Sequence, residues 1–469
     1  MPILRRPEKI STVTLPSRTA VVAAETQVLI VGGGPAGLGA AFGAARAGAD
    51  VILAERYGFL GGNATAALVI PISSYYTHQN EHQTRGSTSL FPTDHGDGNP
   101  TIAGALGDLV SRLVLGGGAL PPSDRTGYTV PFDPEIFKAA AFGMLDSAGA
   151  NYLLHCFASS AFIEDAVSGA VFETKSGPVV IRAQVVVDCT GDGDMAASAG
   201  ATFEVGREDG GVQPMTLLFR MGEFEKAAFD AYVKEHPDQW YGIHGLWDLI
   251  RKAEEAGELD LPREDILFFG SPHEKEVDVN SSRIINVLGT DVWDLTYAEW
   301  EGRRQVSMIS AFFRRYVPGF EKAYTIQSGT TVCVRETRRI LGEYQLTADD
   351  VLEARKHDDV IALGTYPIDE HNPKGKGTML KPVPAGRAYD IPLRCLIPKG
   401  VENLVVAGRC ISGTHEANTS YRVMPISMAT GHAAGVCAAI AARTFRPPRQ
   451  VPFKDVQKEL IRQGAILEV

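Results

Sequence analysis

The sequence predicts an α/β fold: a mostly parallel sheet flanked by helices, with an inserted α+β unit. Three observations point there. A short apolar strand runs into a glycine-rich turn and a helix near the front, at 28–46. Two further apolar strands, near 185–187 and 404–407, also end in glycine turns. Between those last two lies a long stretch of amphipathic helices and short strands.

The front segment is "QVLIVGGGPAGLGAAFGAARAGADVILAER". Val28 to Val31 form a short β-branched run, as expected of a buried parallel strand. Gly32, Gly34 and Gly37 complete a GxGxxG pattern that includes Pro35 and Ala36. Gly32 allows the tight turn, Gly34 lets the backbone approach a pyrophosphate, and Gly37 lets the helix pack on the strand. The helix N-terminus then offers free N–H groups and a positive dipole end to phosphates. Gly48 stops the helix, and a second apolar run, Val51 to Ala54, ends at Glu55 and Arg56. An acid about 20 residues beyond the glycines accepts hydrogen bonds from ribose hydroxyls. Strand, turn, helix, strand and acid together predict a Rossmann-like dinucleotide-binding unit.

Later segments decide between NAD and a flavin dinucleotide. Gly61, Gly62, Asn63, Ala64 and Thr65 form a second small-residue loop directly after Glu55. A plain NAD domain does not need that loop; a longer flavin dinucleotide does. Val185 to Val187 lead into Gly191-Asp192-Gly193-Asp194, and Leu404 to Ala407 open on Gly408 and Arg409. A helix starts near Met424 or Pro425, just after Tyr421, Arg422 and Val423.

These pieces carry a resemblance. With "RETRRI", "GTYPIDEHNP" and "IPLRCLIPKGVENLVVAGRCISGTHEANTSYRVMP", the chain from about residue 25 to 440 resembles FAD-dependent oxidoreductases with a glutathione-reductase-type FAD domain. It looks loosely related to fumarate reductase flavoproteins and the flavin subunit of heterodisulfide reductase. The resemblance implies a discontinuous, Rossmann-like FAD/NAD(P)-binding domain at 20–75, 125–205 and 395–445. It implies a polar loop insertion at 76–124, an α+β substrate or cap domain at 206–394, and a C-terminal helix within 446–469. It makes FAD the expected cofactor. Backbone groups near Phe157 and Ala158 are then expected to meet adenine. The residues support the scheme unaided in places: Asp133 reads as a helix cap, and Thr347 with Asp350 as a capping box. No second GxGxxG occurs, so a separate NAD(P)H domain is not expected.

Composition narrows the rest. The chain has 469 residues, 44% hydrophobic and 22% charged, with a formal net charge of -11. That balance argues against a nucleic-acid surface, which needs a broad cationic face. No signal-peptide layout opens the chain, and no apolar run is expected to reach the roughly 20 residues that span a bilayer. Six scattered cysteines without a CxxC point to reduced thiols and a cytoplasmic location. No metal is expected, because His78, His82 and His95 are irregularly spaced. A homo-oligomer is compatible with the sequence.

The acidic chain still gathers cations in "TVCVRETRRILGEYQL", read as a strand pair carrying Arg335, Arg338 and Arg339. Isolated surface pairs there would stabilise little, about 0–1 kcal/mol. As a cluster they suggest a pocket edge, with Arg335 gripping a substrate carboxylate and Arg338 and Arg339 paired with acids. By the resemblance, Arg422, just before the helix that starts near Met424, is expected to add charge near the flavin. His371 and His415 are the acid–base candidates, since both fall where cap and FAD domain should meet. The expected activity is hydride transfer between flavin N5 and a small polar substrate, anionic or hydroxylated, with the electron acceptor or donor left open. Two alternatives remain: a redox-neutral FAD enzyme such as an isomerase or thiazole-synthase-like protein, and an electron-transfer subunit.

Overall fold

The computed structural model describes residues 3–8, 10–78, 85–92 and 98–469. β1 (Val21–Val31) carries the front apolar run, α1 (Pro35–Arg46) follows the glycine turn, and β2 (Val51–Ala54) lies parallel to β1. After α2 (Ala105–Leu115) and α3 (Pro134–Ala148) come β3 (Asn151–Leu153), β4 (Phe157–Ile163), β5 (Val167–Thr174) and β6 (Gly177–Asp188). The main sheet runs β3-β2-β1-β6-β5-β4, and β18 (Leu404–Val406) pairs with the last turn-proximal residues of β6. β3, β2, β1, β6 and β18 are parallel; β4, β5 and β6 form an antiparallel meander. Val31 and Val406 both sit opposite Asp188, so the turns after β1, β6 and β18 open at one edge of the sheet. Ligands of open α/β sheets bind at the carboxyl ends of such strands.

The inserted unit begins after α4 (Asp194–Ser198) and β7 (Phe203–Val205). It contains β8 (Phe219–Gly222), α5 (Lys226–Glu235), β9 (His244–Gly245), α6 (Trp247–Glu255), β10 (Ile266–Gly270), β11 (Val277–Val279), α7 (Val292–Tyr316) and β12 (Tyr324–Ser328). The amphipathic helices anticipated in this stretch are α5, α6 and α7. The strands make an antiparallel sheet, β12-β8-β11-β10-β9, over an aromatic core that includes Phe229, Trp240, Phe268, Phe313 and Phe320.

The expected single unit at 206–394 divides between two cores. Ile340, Leu346, Ile361, Ile368, Tyr389 and Ile391 pack with the main sheet, not with the insert. They belong to or flank β13 (Arg338–Ile340), α8 (Ala348–Leu352), β14 (Val360–Gly364), β15 (Ile368–His371), β16 (Thr378–Lys381) and β17 (Tyr389–Pro392). The expected polar loop at 76–124 also differs: it contains α2, whose Leu106, Leu109 and Leu113 are buried against the main core. Its apolar positions recur at helical spacing, a signal masked by the polar residues before it.

The arginine-rich segment is not a strand pair. Only Arg338–Ile340 forms a strand, and it pairs with β7, while Cys333 makes a single bridge to Thr216. Between them, Glu336 accepts from Gln213 N at 3.1 Å and Thr337 donates to Asp192 at 2.7 Å, so the polar groups are committed to other segments.

α9 (His415–Tyr421) leads into α10 (Met424–Thr444), and α11 (Phe453–Arg462) ends the fold. α10 is long and apolar enough to cross a membrane, contrary to the expectation from sequence, but 89% of its most apolar window is buried inside the fold. It lies flush on α1: a Cβ at Gly431 or Gly435 would overlap the carbonyl oxygens of Ala36 or Ala40, and one at Gly39 would overlap that of Met428.

Candidate functional site

The glycine turn after β1 is shaped by contact. Gly32 adopts φ 103, and a Cβ there would lie 2.5 Å from Cys189 O. At Gly37 a Cβ would overlap Gly32 O, which explains the close helix–strand approach. Gly34 differs, because the nearest atom to its Cβ would be Gly62 Cα at 3.7 Å. No protein contact requires glycine there, so open space at Gly34 fits a ligand passing close to the backbone. Gly34 also caps α1 without any side-chain hydrogen bond, and Pro35 occupies the first turn. The uncapped helix start therefore offers its N–H groups to an anion.

A cavity of about 250 Å³ opens on this turn. Its wall includes Gly32, Gly34, Pro35, Ala36, Glu55 and Arg56 from the front motif. Gly62, Asn63, Ala158, Gly191, Asp192 and Gly408 complete the wall from the other turns, together with Arg409 and Arg422. Glu55 is buried, and its carboxylate accepts from Gly33 N at 2.6 Å and Tyr57 N at 2.9 Å. Burial raises its pKa, against the pull of those two N–H groups. Each oxygen retains acceptor capacity for a hydroxyl.

Gly37, Gly61, Ala64 and Thr65 do not line the cavity. Thr65 Oγ1 donates to Leu60 O at 2.8 Å and braces the loop that presents Gly62 and Asn63. Behind the turn after β6, Asp188 is fully buried and accepts from Thr190 N, Thr190 Oγ1 and Ala196 N. Burial pushes its pKa up to about 6 despite these bonds. It is a brace that the sequence reading missed, although it directly precedes the Cys-Thr-Gly-Asp run.

A second cavity of about 670 Å³ adjoins the first. The two share Asn63, Val334, Arg409, Arg422 and Met424. At the junction Arg409 Nη2 donates to Asp192 at 2.7 Å, while its buried Nη1 has no hydrogen-bond partner among the described residues. Arg422 is similar: Nη2 lies 3.5 Å from Asp369, and the buried Nε has no hydrogen-bond partner among the described residues. Val423 lines the larger cavity.

Arg335 also lines the larger cavity and is buried. Nη1 donates to Pro214 O at 2.7 Å and to Thr216 Oγ1 at 2.5 Å. Among the described residues no carboxylate lies within ion-pair distance of it. Burial, with Arg422 and Arg283 nearby, brings its pKa down to about 10, so it stays charged at neutral pH. A buried cation without an acid is costly unless a partner supplies the opposite charge. Arg338 pairs with Asp194 at 2.8 Å and Arg339 with Glu336 at 2.5 Å.

The two histidines expected at the site fall in different places. His371, on the larger cavity's wall, has both ring nitrogens engaged. Arg283 Nη2 donates to Nδ1 at 3.2 Å, and Nε2 faces Asp369 at 3.3 Å. Burial lowers its pKa to about 4, Arg335 and Arg422 add to the effect, and Asp369 opposes it. His415 lines neither cavity; it is buried at the start of α9, with Nδ1 2.8 Å from Glu336 and Nε2 3.5 Å from Glu370. Its place ties the arginine-rich segment to α9. His82 and His95 lie outside the described residues, and among those described no group of three His, Cys, Asp or Glu could hold a metal ion.

The helix start, the open space at Gly34, the orphaned guanidinium nitrogens and the acid after β2 together suit a long, anionic dinucleotide such as FAD. Comparison with known proteins agrees. A family model described as FAD dependent oxidoreductase matches residues 27–460. No curated protein matches the chain. Among solved structures, a geranylgeranyl bacteriochlorophyll reductase-like protein from Thermoplasma acidophilum matches at 14% identity, covering 94% of this chain and 84% of that one, with TM-score 0.45. p-Nitrophenol 4-monooxygenase from Pseudomonas putida matches at 11% identity, covering 93% and 84%, with TM-score 0.45. A myxobacterial FAD-dependent halogenase matches at 11% identity, covering 94% and 79%, with TM-score 0.43. Likeness at this level carries no argument about chemistry.

Proposed function

Because the chain belongs to the FAD-dependent oxidoreductase family and takes FAD as its cofactor, we propose that it exchanges hydride with a small carboxylate-bearing hydroxy or amino compound held in the larger cavity. When bound, FAD supplies two-electron redox chemistry. The front turn, Glu55 and the Gly62–Asn63 loop would hold its dinucleotide portion, and Arg409 and Arg422 would lie where the two cavities meet.

Arg335 carries the substrate reading. It is a buried cation on the cavity wall with no acid of its own. A ligand carboxylate would supply the missing charge in a fixed orientation. Arg422 and the start of α10 at Met424 add positive potential on the same wall. Asp369 sits between His371 and Arg422, and burial of its carboxyl is outweighed by the His371 ring and the Arg422 guanidinium, which hold it well below the usual carboxylate range. That pairing leaves Arg335 as the group free to take an external anion. The finer likeness to fumarate reductase flavoproteins rests on the sequence motifs and gives the direction of transfer no extra weight.

The test is spectroscopic. Purified protein should show a flavin spectrum, and anaerobic glycolate, lactate, 2-hydroxyglutarate, alanine or glutamate should bleach it. Bleaching only by uncharged alcohols would sink the carboxylate reading. Turnover with no external electron acceptor would favour the redox-neutral alternative.

A further inference from the structure

We propose that His244, oriented by Asp265, is the proton acceptor of the larger cavity. This role rests on the oxidation reading above.

His244 and Asp265 line that cavity on the face supplied by the inserted unit. His244 lies in β9, opposite Leu267 of β10, and Asp265 immediately precedes β10. The short pairing brings the two side chains together, with His244 Nδ1 3.0 Å from Asp265 Oδ2. The other carboxylate oxygen accepts from Arg263 Nε at 2.7 Å, and Arg263 Nη1 donates to Asn280 O at 3.0 Å. Burial raises the Asp265 pKa, but Arg263 and His244 outweigh it and hold the carboxyl well below the usual range. An ionised carboxylate only accepts, so His244 must donate from Nδ1. Nε2 is then the basic nitrogen. Among the described residues it has no hydrogen-bond partner, and the side chain, which lines the cavity, is 37% exposed. The rings of Tyr241 and Trp247 lie 6.0 Å and 5.9 Å from the imidazole and limit its swing. A base held by hydrogen bond to a partly buried acid is the recurring arrangement for general base work.

The other two histidines do not compete. His371 has both nitrogens engaged, and His415 lines neither cavity. In the half-reaction the substrate O–H or N–H bond breaks and its proton goes to His244 Nε2. The neighbouring C–H bond breaks, and its hydrogen leaves with the bonding pair as hydride, which oxidised FAD, when bound, would accept. A C=O or C=N bond forms, so one proton and one hydride, two protons and two electrons in all, leave the substrate's X–H and C–H bonds with no other reactant.

The test uses full-length, FAD-loaded protein and the donor among glycolate, lactate, 2-hydroxyglutarate, alanine and glutamate that reduces the wild type. His244→Ala should slow anaerobic flavin reduction at least 100-fold, within the usual range for a general base. Donor affinity should stay within about threefold, and added imidazole should restore at least tenfold of the rate. Independently of activity, ¹⁵N-histidine spectra should show His244 as the Nδ1–H tautomer, and Asp265→Asn should abolish that preference. Undiminished reduction in His244→Ala, or an Nε2–H tautomer in the wild type, would overturn the assignment and leave the oxidation reading standing. A wild type that none of the five donors reduces would overturn the oxidation reading itself, and His244's role with it.

Discussion

Arg409 Nη2 lies 2.7 Å from Asp192 Oδ1, which joins the turn after β18 to the turn after β6. The same oxygen accepts from Thr337 Oγ1 at 2.7 Å, so three separated segments meet on one carboxylate. Asp192→Asn removes the charge that Arg409 answers. Hydrogen bonds to charged groups contribute roughly 1.5–3 kcal/mol. FAD affinity should therefore fall about tenfold or more, measured by recovery of flavin fluorescence on dilution. Unchanged affinity would mean that Arg409 holds its place without Asp192.

Gly34 and Gly37 predict opposite phenotypes for the same substitution. Gly37→Ala would drive a Cβ into Gly32 O and should lower thermal stability sharply. Gly34→Ala has 3.7 Å of clearance and should fold with a melting temperature near that of the wild type. Its cost falls on the cofactor: FAD retention should drop at least tenfold, about 1.4 kcal/mol, because the added methyl occupies the path of the pyrophosphate. Calorimetry of the apoproteins and flavin-to-protein ratios of the purified forms separate the two effects.

Arg335→Lys keeps the charge and loses the planar fork. A lysine cannot hold Pro214 O, Thr216 Oγ1 and a carboxylate with one rigid group. Binding of a carboxylate donor, followed by perturbation of the flavin band, should weaken by tenfold to a hundredfold while FAD stays bound. Equal affinity in the variant would remove the anion role.

Asp278 gives a pH-dependent stability effect. Burial raises its pKa to about 7, helped by Glu276 and Asp133 and opposed by Arg220. Its two oxygens are buried without hydrogen bonds among the described residues, although Arg220 Nε lies 3.4 Å away. In the unfolded chain an aspartate titrates near 3.9. Between about pH 4 and 7 the folded protein holds more protons than the unfolded one, so this group lowers stability as pH rises through that window. Asp278→Asn should raise the melting temperature at pH 8 by about a degree, on the order of 1 kcal/mol, and change it little at pH 4. A variant less stable than the wild type at pH 8 would show that the Arg220 pair outweighs the burial.

The dinucleotide end was legible because its physics is local. A tight turn, a helix start and an acid at fixed spacing leave marks in adjacent residues, and most candidates there line the first cavity. The larger cavity was harder to read. Arg335 lines its wall next to Val334, which both cavities share, and its importance follows from the absence of a neighbouring acid among the described residues, which sequence cannot show. His415 carried a motif yet became an internal tie to Glu336. His244 and Asp265 lie 21 positions apart and carry no motif at all. They meet only because β9 pairs with β10, and pairing of a two-residue strand leaves almost no trace in hydropathy. The division of 340–396 from the insert escaped for a related reason: apolar residues report burial without saying in which core.

The flush contact between α1 and α10 has a consequence for how the protein is made. Residues 36–43 lie against residues 428–435 with backbone touching backbone. A nascent chain therefore exposes an incomplete α1 for most of its synthesis, with one side of that helix waiting for a partner nearly 400 residues downstream. Acquisition of FAD should then be a late event, following emergence of the C-terminal segment from the ribosome. Until that moment, the small-residue stripe on α1 is a surface that chaperones would have to shield.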